Sequence, residues 1–435
     1  MGIIRRPNRR HVLKTAMALA ATGALPACAL AHESSSRAGA LPHIDASLRA
    51  AVAAQQVPGV VAMAATENGI LYEGAFGSRR LGSGTANEPA MTRDTVFRIA
   101  SMVKLITSVA AMRLVEQGKL SLEGPLPEID PAIADPQVLD RFDAKGLPLL
   151  RPPKRPLALH HLLTHTSGFT YRLWDAEAIK YGIAAAKVPA PERFKLPRTP
   201  LMFDPGERWQ YGTSIDWVGR IVESVSDEPL EAHFKNYIFE PLGMKDTTFE
   251  ITAALRTHEA SGHHRQPDGS LKAEPMEPAP NPRAPPRHHS GGGGIYSTAP
   301  DYLMLIRMLM HGGTFDGVRI LKPETVALMG QNQIGTVEAG ILKTTRPQVS
   351  NDVDFFHGIS LKWGFGHMIN MQPVPEARSA GSLTWAGIYN TYYWIDPKKR
   401  VAAVFMTQVL PFADERALRT YRQFERGIYA TVKTG

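Results

Sequence analysis

The sequence predicts a mixed α/β (α+β) fold, in which an antiparallel sheet is flanked by helices and interrupted by a mostly helical domain. Three observations lead to this prediction: a β-hairpin pattern near each end of the chain, and helical patterns between them. At 435 residues the chain is long enough for one large domain or for two or three smaller ones.

The first hairpin begins after a helical segment at residues 43–56 that ends before Pro58-Gly59. Residues 60–66 are apolar and partly β-branched, Asn68-Gly69 is a strong turn signal, and residues 70–76 return. We therefore expect two antiparallel strands near the N-terminus.

The second hairpin lies near the C-terminus. Residues 391–395 and 401–407 have strand character, and the sequence DPKK between them predicts the turn. A charged helix over residues 413–432 follows. Strands that follow each other as hairpins pair antiparallel, which excludes a doubly wound parallel sheet.

The middle of the chain has a different composition. Residues 121–156 are rich in proline and aspartate, and helical patterns follow at residues 158–164, 215–225 and 230–238. We predict an α/β domain from residues 42–120 and 290–435, and a helical domain from residues 121–289 with a proline-rich loop at 274–287. The glycines at 291–294 either let the backbone approach a ligand or form a flexible joint.

Residues 1–31 are typical of an export signal. Arg5, Arg6, Arg9, Arg10 and Lys14 precede an apolar run at residues 15–26, and small residues predict cleavage after Ala31. The sequence NRRHVLK resembles a twin-arginine signal, so we expect a periplasmic or secreted bacterial protein. A mitochondrial transit peptide is the alternative reading.

Cysteine usage narrows the chemistry. The only cysteine is Cys28, inside the export segment, so the mature chain would have no disulfide, no zinc–thiolate site and no cysteine nucleophile. Because LPAC also resembles a lipoprotein cleavage box, a lipid anchor at Cys28 is an alternative to cleavage after Ala31. No internal stretch is long enough for a stable membrane span.

Charge and motifs argue against several partners. The formal charge of +8 includes the five cations of the export segment, which leaves about +3 for the mature chain. No basic stripe predicts nucleic-acid binding, and no phosphate-binding glycine motif is present. The histidine pairs at 161/165, 160/161, 263/264 and 288/289 lack a metal-site pattern. We therefore expect no cofactor and no metal.

Ser101 is the candidate nucleophile. It is the only serine of this chain with a lysine three positions later, Lys104, and residues 102–117 are apolar nearly all round before Gly118. Such a helix is buried, and positions i and i+3 share a face. Desolvation disfavours an ammonium group, which would let a buried lysine accept the serine proton. The alternative is a capping serine beside a lysine that reaches solvent.

Further segments strengthen the catalytic interpretation. The block TVFRIASMVK (95–104) resembles the active-site helix of serine beta-lactamases, D,D-peptidases and their esterase relatives. Five more blocks resemble the same superfamily in the same order: HLLTHTSG (161–168), DPG (204–206) before Tyr211, PLGM (241–244), GGGGIYS (291–297) with Asp301-Tyr302, and WAG (385–387). This resemblance covers nearly the whole mature chain and implies the beta-lactamase/transpeptidase-like fold.

The resemblance also assigns site residues. Tyr211 matches the tyrosine of the second motif and is implied as a proton relay to Ser101 and Lys104. Thr213 stands where class C beta-lactamases have asparagine. By the same analogy, the backbone N–H groups of Ser101 and Ile388 would form the oxyanion hole.

The third motif indicates the substrate class. Trp385, Ala386 and Gly387 stand where beta-lactamases have Lys-Thr-Gly and resemble the Trp-Gly-Gly of family VIII carboxylesterases and the related lovastatin-type acyltransferases. A beta-lactam carboxylate would lose a charge-assisted partner there, worth about 1.5–3 kcal/mol. We expect Trp385, Ala386, Gly387 and Tyr171 to bind substrate. The terminal Lys433-Thr434-Gly435 cannot be the motif, since a chain end does not position a substrate.

These observations predict a serine hydrolase that cleaves a small-molecule carboxylic ester through an acyl-enzyme on Ser101. The alternatives are a beta-lactamase or D,D-peptidase, an acyltransferase or amidase, and a penicillin-binding receptor that acylates without turnover. The sequence does not indicate the oligomeric state.

Overall fold

The protein is organised around one antiparallel sheet. The computed structural model describes residues 41–82, 88–127, 129–190, 193, 196–275 and 289–432. Its strands are β1 (Gly59–Thr66), β2 (Gly69–Gly77), β3 (Phe97–Arg98), β4 (Val138–Phe142), β5 (Pro148–Arg151), β6 (His263–Arg265), β7 (Leu271–Ala273), β8 (Tyr296–Ser297), β9 (Thr314–Phe315), β10 (Val318–Arg319), β11 (Ile341–Leu342), β12 (Val353–Asp354), β13 (Leu361–Trp363), β14 (Met368–Asn370), β15 (Leu383–Gly387), β16 (Thr391–Asp396), β17 (Val401–Met406) and β18 (Val409–Leu410).

Helices precede, interrupt and follow these strands. They are α1 (Pro42–Ala53), α2 (Val103–Glu116), α3 (Pro131–Ala134), α4 (Leu159–Leu163), α5 (Ala176–Lys187), α6 (Ser214–Ser226), α7 (Leu230–Phe234), α8 (Glu240–Leu242), α9 (Ala253–Arg256), α10 (Ala299–Met310), α11 (Pro323–Met329) and α12 (Glu415–Thr431). Short 3₁₀ turns occupy Ala100–Met102 and Arg172–Trp174, and Lys235–Phe239 is a π-helix.

The central sheet joins the two ends of the chain. Its order is β13-β14-β15-β16-β17-β1-β2, and every neighbouring pair is antiparallel. Strand β1 lies between its hairpin partner β2 and the C-terminal β17, with Val61 opposite Met406. Both predicted hairpins and the predicted antiparallel sheet are therefore confirmed.

Both faces of the sheet are covered, as two successive residues of β16 illustrate. The ring of Tyr392 stacks on Tyr421 of α12 with 4.4 Å between centroids. Tyr393 instead packs against Tyr302 of α10 on the other face, at 5.4 Å, because side chains alternate along a strand. Residues of β16 and β17 are buried throughout, so the apolar core lies on both sides of these strands.

Several predicted elements differ in detail. The predicted helix at residues 230–238 changes from α-helix to π-helix at Lys235. Helices α5 and α10 were not predicted, and the hairpin of β4 and β5 lies in the proline- and aspartate-rich segment at 121–156, where no strand was predicted. Helix α5 contains Gly182 and few bulky apolar residues, so its pattern is weak; it is started by Asp175, which accepts from the Ala178 N–H at 3.1 Å.

The helical region packs directly against the nucleophile helix. Helix α2 packs on α6. Gly219 of α6 also lies so close to Gly291 that a Cβ on Gly219 would be 2.8 Å from the Gly291 Cα. Gly291, the first glycine after Ser290, thus allows the two backbone segments to pack closely. The division into an α/β domain and an inserted helical domain stays a prediction. The export segment at 1–31 and most of the proline-rich loop lie outside the described residues.

Candidate active site

Ser101 lies in a single 3₁₀ turn, Ala100–Met102, that leads directly into α2. Ala100 adopts a left-handed backbone conformation with φ +46°, which costs a residue with a side chain roughly 1–2 kcal/mol. The Ile99 N–H donates to the Ile295 carbonyl at 3.1 Å and holds the turn in place. Strained backbone of this kind concentrates at functional sites. The turn presents Ser101, half-buried, at the start of a buried helix.

Lys104 lies beside Ser101 as the spacing predicted. Its side chain is 1 % exposed, and its Nζ is 3.1 Å from Ser101 Oγ, 2.7 Å from the Gly292 carbonyl oxygen and 3.3 Å from the Tyr171 hydroxyl. Among the described residues it forms no ion pair with a carboxylate. A neutral lysine satisfies this geometry, because two N–H bonds can donate to Gly292 and Tyr171 while the lone pair accepts the serine proton.

The partners of Lys104 are linked into a closed ring of hydrogen bonds. The Tyr171 hydroxyl donates to Asp216 Oδ2 at 3.2 Å, and Ser290 Oγ donates to the other carboxylate oxygen. The Gly292 N–H donates to Ser290 Oγ at 3.0 Å, and the Gly292 carbonyl accepts from Lys104. We call this set of residues (Lys104, Tyr171, Asp216, Ser290 and Gly292) the lysine ring.

Within this ring Tyr171 is held as a neutral phenol. Burial raises the pKa of Tyr171 well above its usual value, and the negative charge and hydrogen bond of Asp216 raise it further. The phenol proton therefore stays on Tyr171 and is directed at Asp216, while the phenol oxygen accepts from Lys104. The sequence analysis expected Tyr171 to bind substrate and missed Asp216 and Ser290. An acid in the first turn of the amphipathic helix α6 was the available signal for Asp216.

Tyr211 lies against the same lysine but makes a different hydrogen bond. Lys104 Nζ is 5.0 Å from the centre of the Tyr211 ring, and the Tyr211 hydroxyl accepts from the indole N–H of Trp385 at 3.2 Å. In the described structure the tyrosine hydroxyl bonded to Lys104 belongs to Tyr171. The relay role predicted for Tyr211 stays a prediction that its position beside Lys104 allows.

The end of β15 lies against the nucleophile turn. A Cβ on Gly387 would be 2.4 Å from the Ile99 carbonyl oxygen and 2.3 Å from Thr391 Oγ1, so only glycine permits this approach. Neither the Ser101 nor the Ile388 backbone N–H has a hydrogen-bond acceptor within the described part of the chain. Both donors expected for the oxyanion hole are thus unpaired and lie on segments that pack together.

An aromatic cluster surrounds Tyr211 on the side of Trp385. Trp385 is 3 % exposed and packs on Tyr211 and Trp363 at centroid distances of 4.7 and 4.6 Å. The other members of this aromatic cluster are Tyr171, Trp174 and Trp209. The surroundings of Tyr211 are therefore aromatic, and Trp385 stands at the motif position where the sequence resemblance places a cation in beta-lactamases. Ala386 points its side chain to the other face of the sheet by strand alternation, so only its main chain can face a substrate.

His165, one of the paired histidines of the sequence, is buried within the site. Its backbone has φ +57°, its carbonyl accepts from the Gln210 N–H at 3.0 Å, and its ring packs on Tyr211 at 4.8 Å. Neither ring nitrogen has a partner among the described residues. Burial lowers the pKa of His165 well below its usual value, so the ring is neutral and helps to position Tyr211.

The paired histidines have structural environments. His161 Nδ1 accepts from the Ala158 N–H at 3.1 Å, and His263 Nε2 accepts from the Leu81 N–H at 3.1 Å. Burial lowers the pKa of each ring to about 4. No group of three histidine, cysteine, aspartate or glutamate side chains in the described residues is placed to hold a metal ion. No helix in those ranges has both the length and the apolar character to cross a membrane.

Comparison with known proteins agrees with this geometry. Residues 44–427 match the model of the Beta-lactamase family. A serine and a buried lysine at the start of one helix, packed against strand β15 of the central sheet, define an enzyme of the serine hydrolase type on this fold. This chain belongs to the Beta-lactamase family, and the resemblance inferred from its motifs is confirmed.

Individual relatives are acyltransferases and an esterase. The chain is 30 % identical over 414 residues to ML-236A carboxylate methylbutanoyltransferase mlcH of Penicillium citrinum, covering 92 % of this chain and 96 % of the relative. It is 31 % identical over 400 residues to the lovastatin esterase of Penicillium rubens, covering 89 % and 98 %. Unliganded simvastatin synthase (LovD) from Aspergillus terreus has a similar structure, with a TM-score of 0.77, 28 % identity and coverage of 90 % and 98 %.

Proposed function

We propose that this protein is a serine esterase with acyl-transfer activity, in which Ser101 takes the acyl group of a carboxylic ester and passes it to water or to an alcohol. The observation that carries this proposal is the 3.1 Å contact between Ser101 Oγ and the buried Nζ of Lys104. A serine hydroxyl becomes an effective nucleophile only when a nearby base accepts its proton.

Acylation begins at the lysine ring. Neutral Lys104 accepts the Ser101 proton while Oγ attacks the ester carbonyl, and a tetrahedral oxyanion forms. The Ser101 and Ile388 N–H groups donate to that oxyanion. As the intermediate collapses, the bond to the alcohol oxygen breaks, and that oxygen takes a proton from Lys104, directly or through the Tyr211 hydroxyl. The acyl group is now an ester of Ser101.

Deacylation repeats these steps with a second nucleophile. Water or an acceptor alcohol gives its proton to Lys104 as its oxygen attacks the acyl-enzyme carbonyl, and Ser101 then leaves and recovers the proton. The relatives mlcH and lovastatin esterase carry a transferase and an esterase name respectively. The same site thus supports both outcomes, and the acceptor that reaches the acyl-enzyme decides between them.

The aromatic cluster favours esters over beta-lactams. An aliphatic or aryl ester needs no cation beside its carbonyl, whereas a beta-lactam carboxylate facing Trp385 loses a charge-assisted hydrogen bond worth about 1.5–3 kcal/mol. The apolar wall of Trp363 and Trp385 also suits an apolar acyl or alcohol group. We therefore propose a small, largely apolar ester as the substrate.

Turnover of a substrate panel tests the proposal. The wild-type protein and Ser101→Ala are assayed with p-nitrophenyl acetate, butyrate and octanoate and with nitrocefin, and Ser121→Ala serves as a control at an exposed serine. We expect Ser101→Ala to lose at least roughly a thousandfold in kcat/KM for the esters, with Ser121→Ala unchanged. Full ester turnover by Ser101→Ala would overturn the proposal.

The same panel separates the rivals. Faster hydrolysis of nitrocefin than of any ester would indicate a beta-lactamase. An adduct on Ser101 that persists in the mass spectrum without product release would indicate a receptor. Addition of a primary alcohol to the ester assay, with chromatography of the products, measures how the acyl-enzyme divides between water and alcohol.

We also propose that the protein is exported through its twin-arginine-like segment. Mass spectrometry of the protein from a periplasmic fraction should then show an N-terminus at His32, and the double variant Arg9→Lys, Arg10→Lys should accumulate uncleaved. A lipid adduct on Cys28 in the membrane fraction would instead establish the lipoprotein alternative.

A further inference from the structure

A second cavity lies on the sheet face opposite to Trp385, beneath helix α12. Its volume is about 280 Å³, and we call it the back cavity. Its walls are mainly apolar and aromatic, and are formed by Phe355, Phe356, Ile359, Val374, Tyr392 and Leu418.

The register of the sheet separates the back cavity from the candidate active site. Trp385 is opposite Tyr393 in the β15–β16 pair, and Thr384 and Tyr392 are their neighbours along the two strands. Because side chains alternate, Thr384 and Tyr392 face α12 and line the back cavity. Phe355 reaches both places, since its ring also packs on Trp385 at 5.3 Å.

A buried cation lies against the lining of the back cavity. Arg378 is fully buried, and its guanidinium contacts three lining residues. Nε donates to Glu425 at 2.6 Å, Nη2 donates to the Tyr421 hydroxyl at 2.5 Å, and the group lies over the Phe356 ring at 5.0 Å. Its Nη1 has no partner in the described residues.

The opening of the back cavity is also positively charged. Arg422 and Arg426 are exposed residues of α12 that line it. Arg426 is 3.6 Å from Glu376, whereas Arg422 forms no ion pair within the described ranges. Glu425, the acid in the lining, is already neutralised by Arg378. Of the residues that line the cavity, two are arginines, Arg422 and Arg426, and one is an acid, Glu425.

We propose that the back cavity binds a small carboxylate with an aryl or short alkyl group, such as benzoate. The apolar part fits between the aromatic walls, and the carboxylate accepts from Arg422 at the opening, because arginine prefers this acceptor. The volume equals that of roughly nine water molecules, which limits the ligand to a similar number of non-hydrogen atoms. Such acids are also what ester hydrolysis releases, a link that rests on the proposed function.

Isothermal titration of the full-length protein with benzoate tests this site without any turnover. We expect saturable binding, at least roughly tenfold weaker binding of neutral benzamide, and a similar loss in Leu418→Trp, which fills the cavity. Arg422→Gln should weaken benzoate binding by at least roughly threefold. Arg419→Gln, an exposed arginine of the same helix that does not line the cavity, should bind as the wild type does.

The contrary outcomes are equally specific. Absence of benzoate binding would overturn the proposal, as would equal binding of benzamide or unchanged binding in both Leu418→Trp and Arg422→Gln. Binding that is instead lost on acylation of Ser101 by a fluorophosphonate would place benzoate in the active site. Ester turnover is measured separately on each variant, so a protein that binds benzoate but hydrolyses no ester would refute the proposed function alone.

Discussion

The indole N–H of Trp385 donates a hydrogen bond to the phenol oxygen of Tyr211 at 3.2 Å. The two residues come from different sequence motifs, 174 positions apart, and the bond joins strand β15 of the central sheet to the segment that precedes α6. In this bond the phenol oxygen of Tyr211 accepts from Trp385. In the proposed mechanism, the hydroxyl proton of Tyr211, which is directed away from Trp385, is the one passed to the leaving group.

Replacing Trp385 by phenylalanine tests this relationship. The variant keeps an aromatic wall but removes the donor to Tyr211, so kcat for an ester should fall about three- to tenfold while KM changes less. Steady-state kinetics with p-nitrophenyl butyrate measure both. Trp394→Phe is the matched control, since Trp394 donates to Tyr429 at 3.1 Å on the other face of the sheet. Equal kcat losses in the two variants would contradict the assigned role.

Tyr171→Phe tests the lysine ring. The change keeps the ring packing but removes the acceptor from Lys104 and the donor to Asp216, so kcat should fall roughly ten- to a hundredfold. Because the pKa of Tyr171 is raised well above its usual value, the phenol stays protonated at neutral and mildly alkaline pH. The alkaline limb of the pH–rate profile should therefore be unchanged in the variant.

A lost alkaline limb in Tyr171→Phe would mean that this phenol does ionise in the working range. Tyr181→Phe provides the control, because its hydroxyl donates to the Pro197 carbonyl outside the lysine ring. It should retain wild-type kcat and the wild-type pH profile.

Gly387→Ala tests the approach of β15 to the nucleophile turn. The added Cβ would meet the Ile99 carbonyl oxygen at 2.4 Å, so the strand or the turn must move. Displacements of about 1 Å at reacting groups cost roughly a hundredfold in rate, and kcat/KM for an ester should fall on that scale. In Gly330→Ala the nearest contact is an ordinary 3.5 Å, and this control should keep its activity. A wild-type kcat/KM in Gly387→Ala would show that the strand tolerates the displacement.

The buried His367 predicts a pH dependence of stability. Its Nδ1 lies 3.1 Å from the Tyr393 hydroxyl, and burial lowers its pKa to about 3, below the unfolded value of about 6.5. Between these values the unfolded state binds more protons, so the contribution of His367 to stability falls as pH falls. From pH 6 to pH 5 it falls by roughly 1 kcal/mol.

Chemical denaturation of His367→Gln at both pH values measures this effect. The variant lacks the titrating group, so the difference in unfolding free energy between wild type and variant should shrink by roughly 1 kcal/mol from pH 6 to pH 5. His43→Gln, at an exposed position, should not show this convergence. A constant difference for His367→Gln would mean that the buried imidazole does not resist protonation.

Local patterns account for what the sequence predicts well. Ser101 and Lys104 are three residues apart on one helix, so their contact follows from helical geometry. The two hairpins follow from turn residues between short apolar runs, and Gly387 follows from its motif. Each of these predictions depends on residues close together in the chain or on a recognised block.

Contacts through space account for what it misses. Tyr171 and Asp216 are 45 residues apart and meet only because α6 packs against α2. The sequence motifs therefore pointed to Tyr211 as the tyrosine that acts with Lys104. They did not show that Tyr171 makes the hydrogen bond to Lys104. Helix α10 was missed although Thr298 caps it by accepting from the Asp301 N–H at 3.3 Å, because its residues are apolar nearly all round and have little periodicity.

The hydrogen bond from Lys104 to the Gly292 carbonyl spans 188 positions of the chain. Contacts between such distant residues form late, because the loop between them must close first. During refolding from denaturant, the helical signal of α2 should therefore return before Ser101 can react with a fluorophosphonate. The rate at which the fluorophosphonate labels Ser101 would then report when the glycine segment docks. Labelling would thus follow a late step of folding.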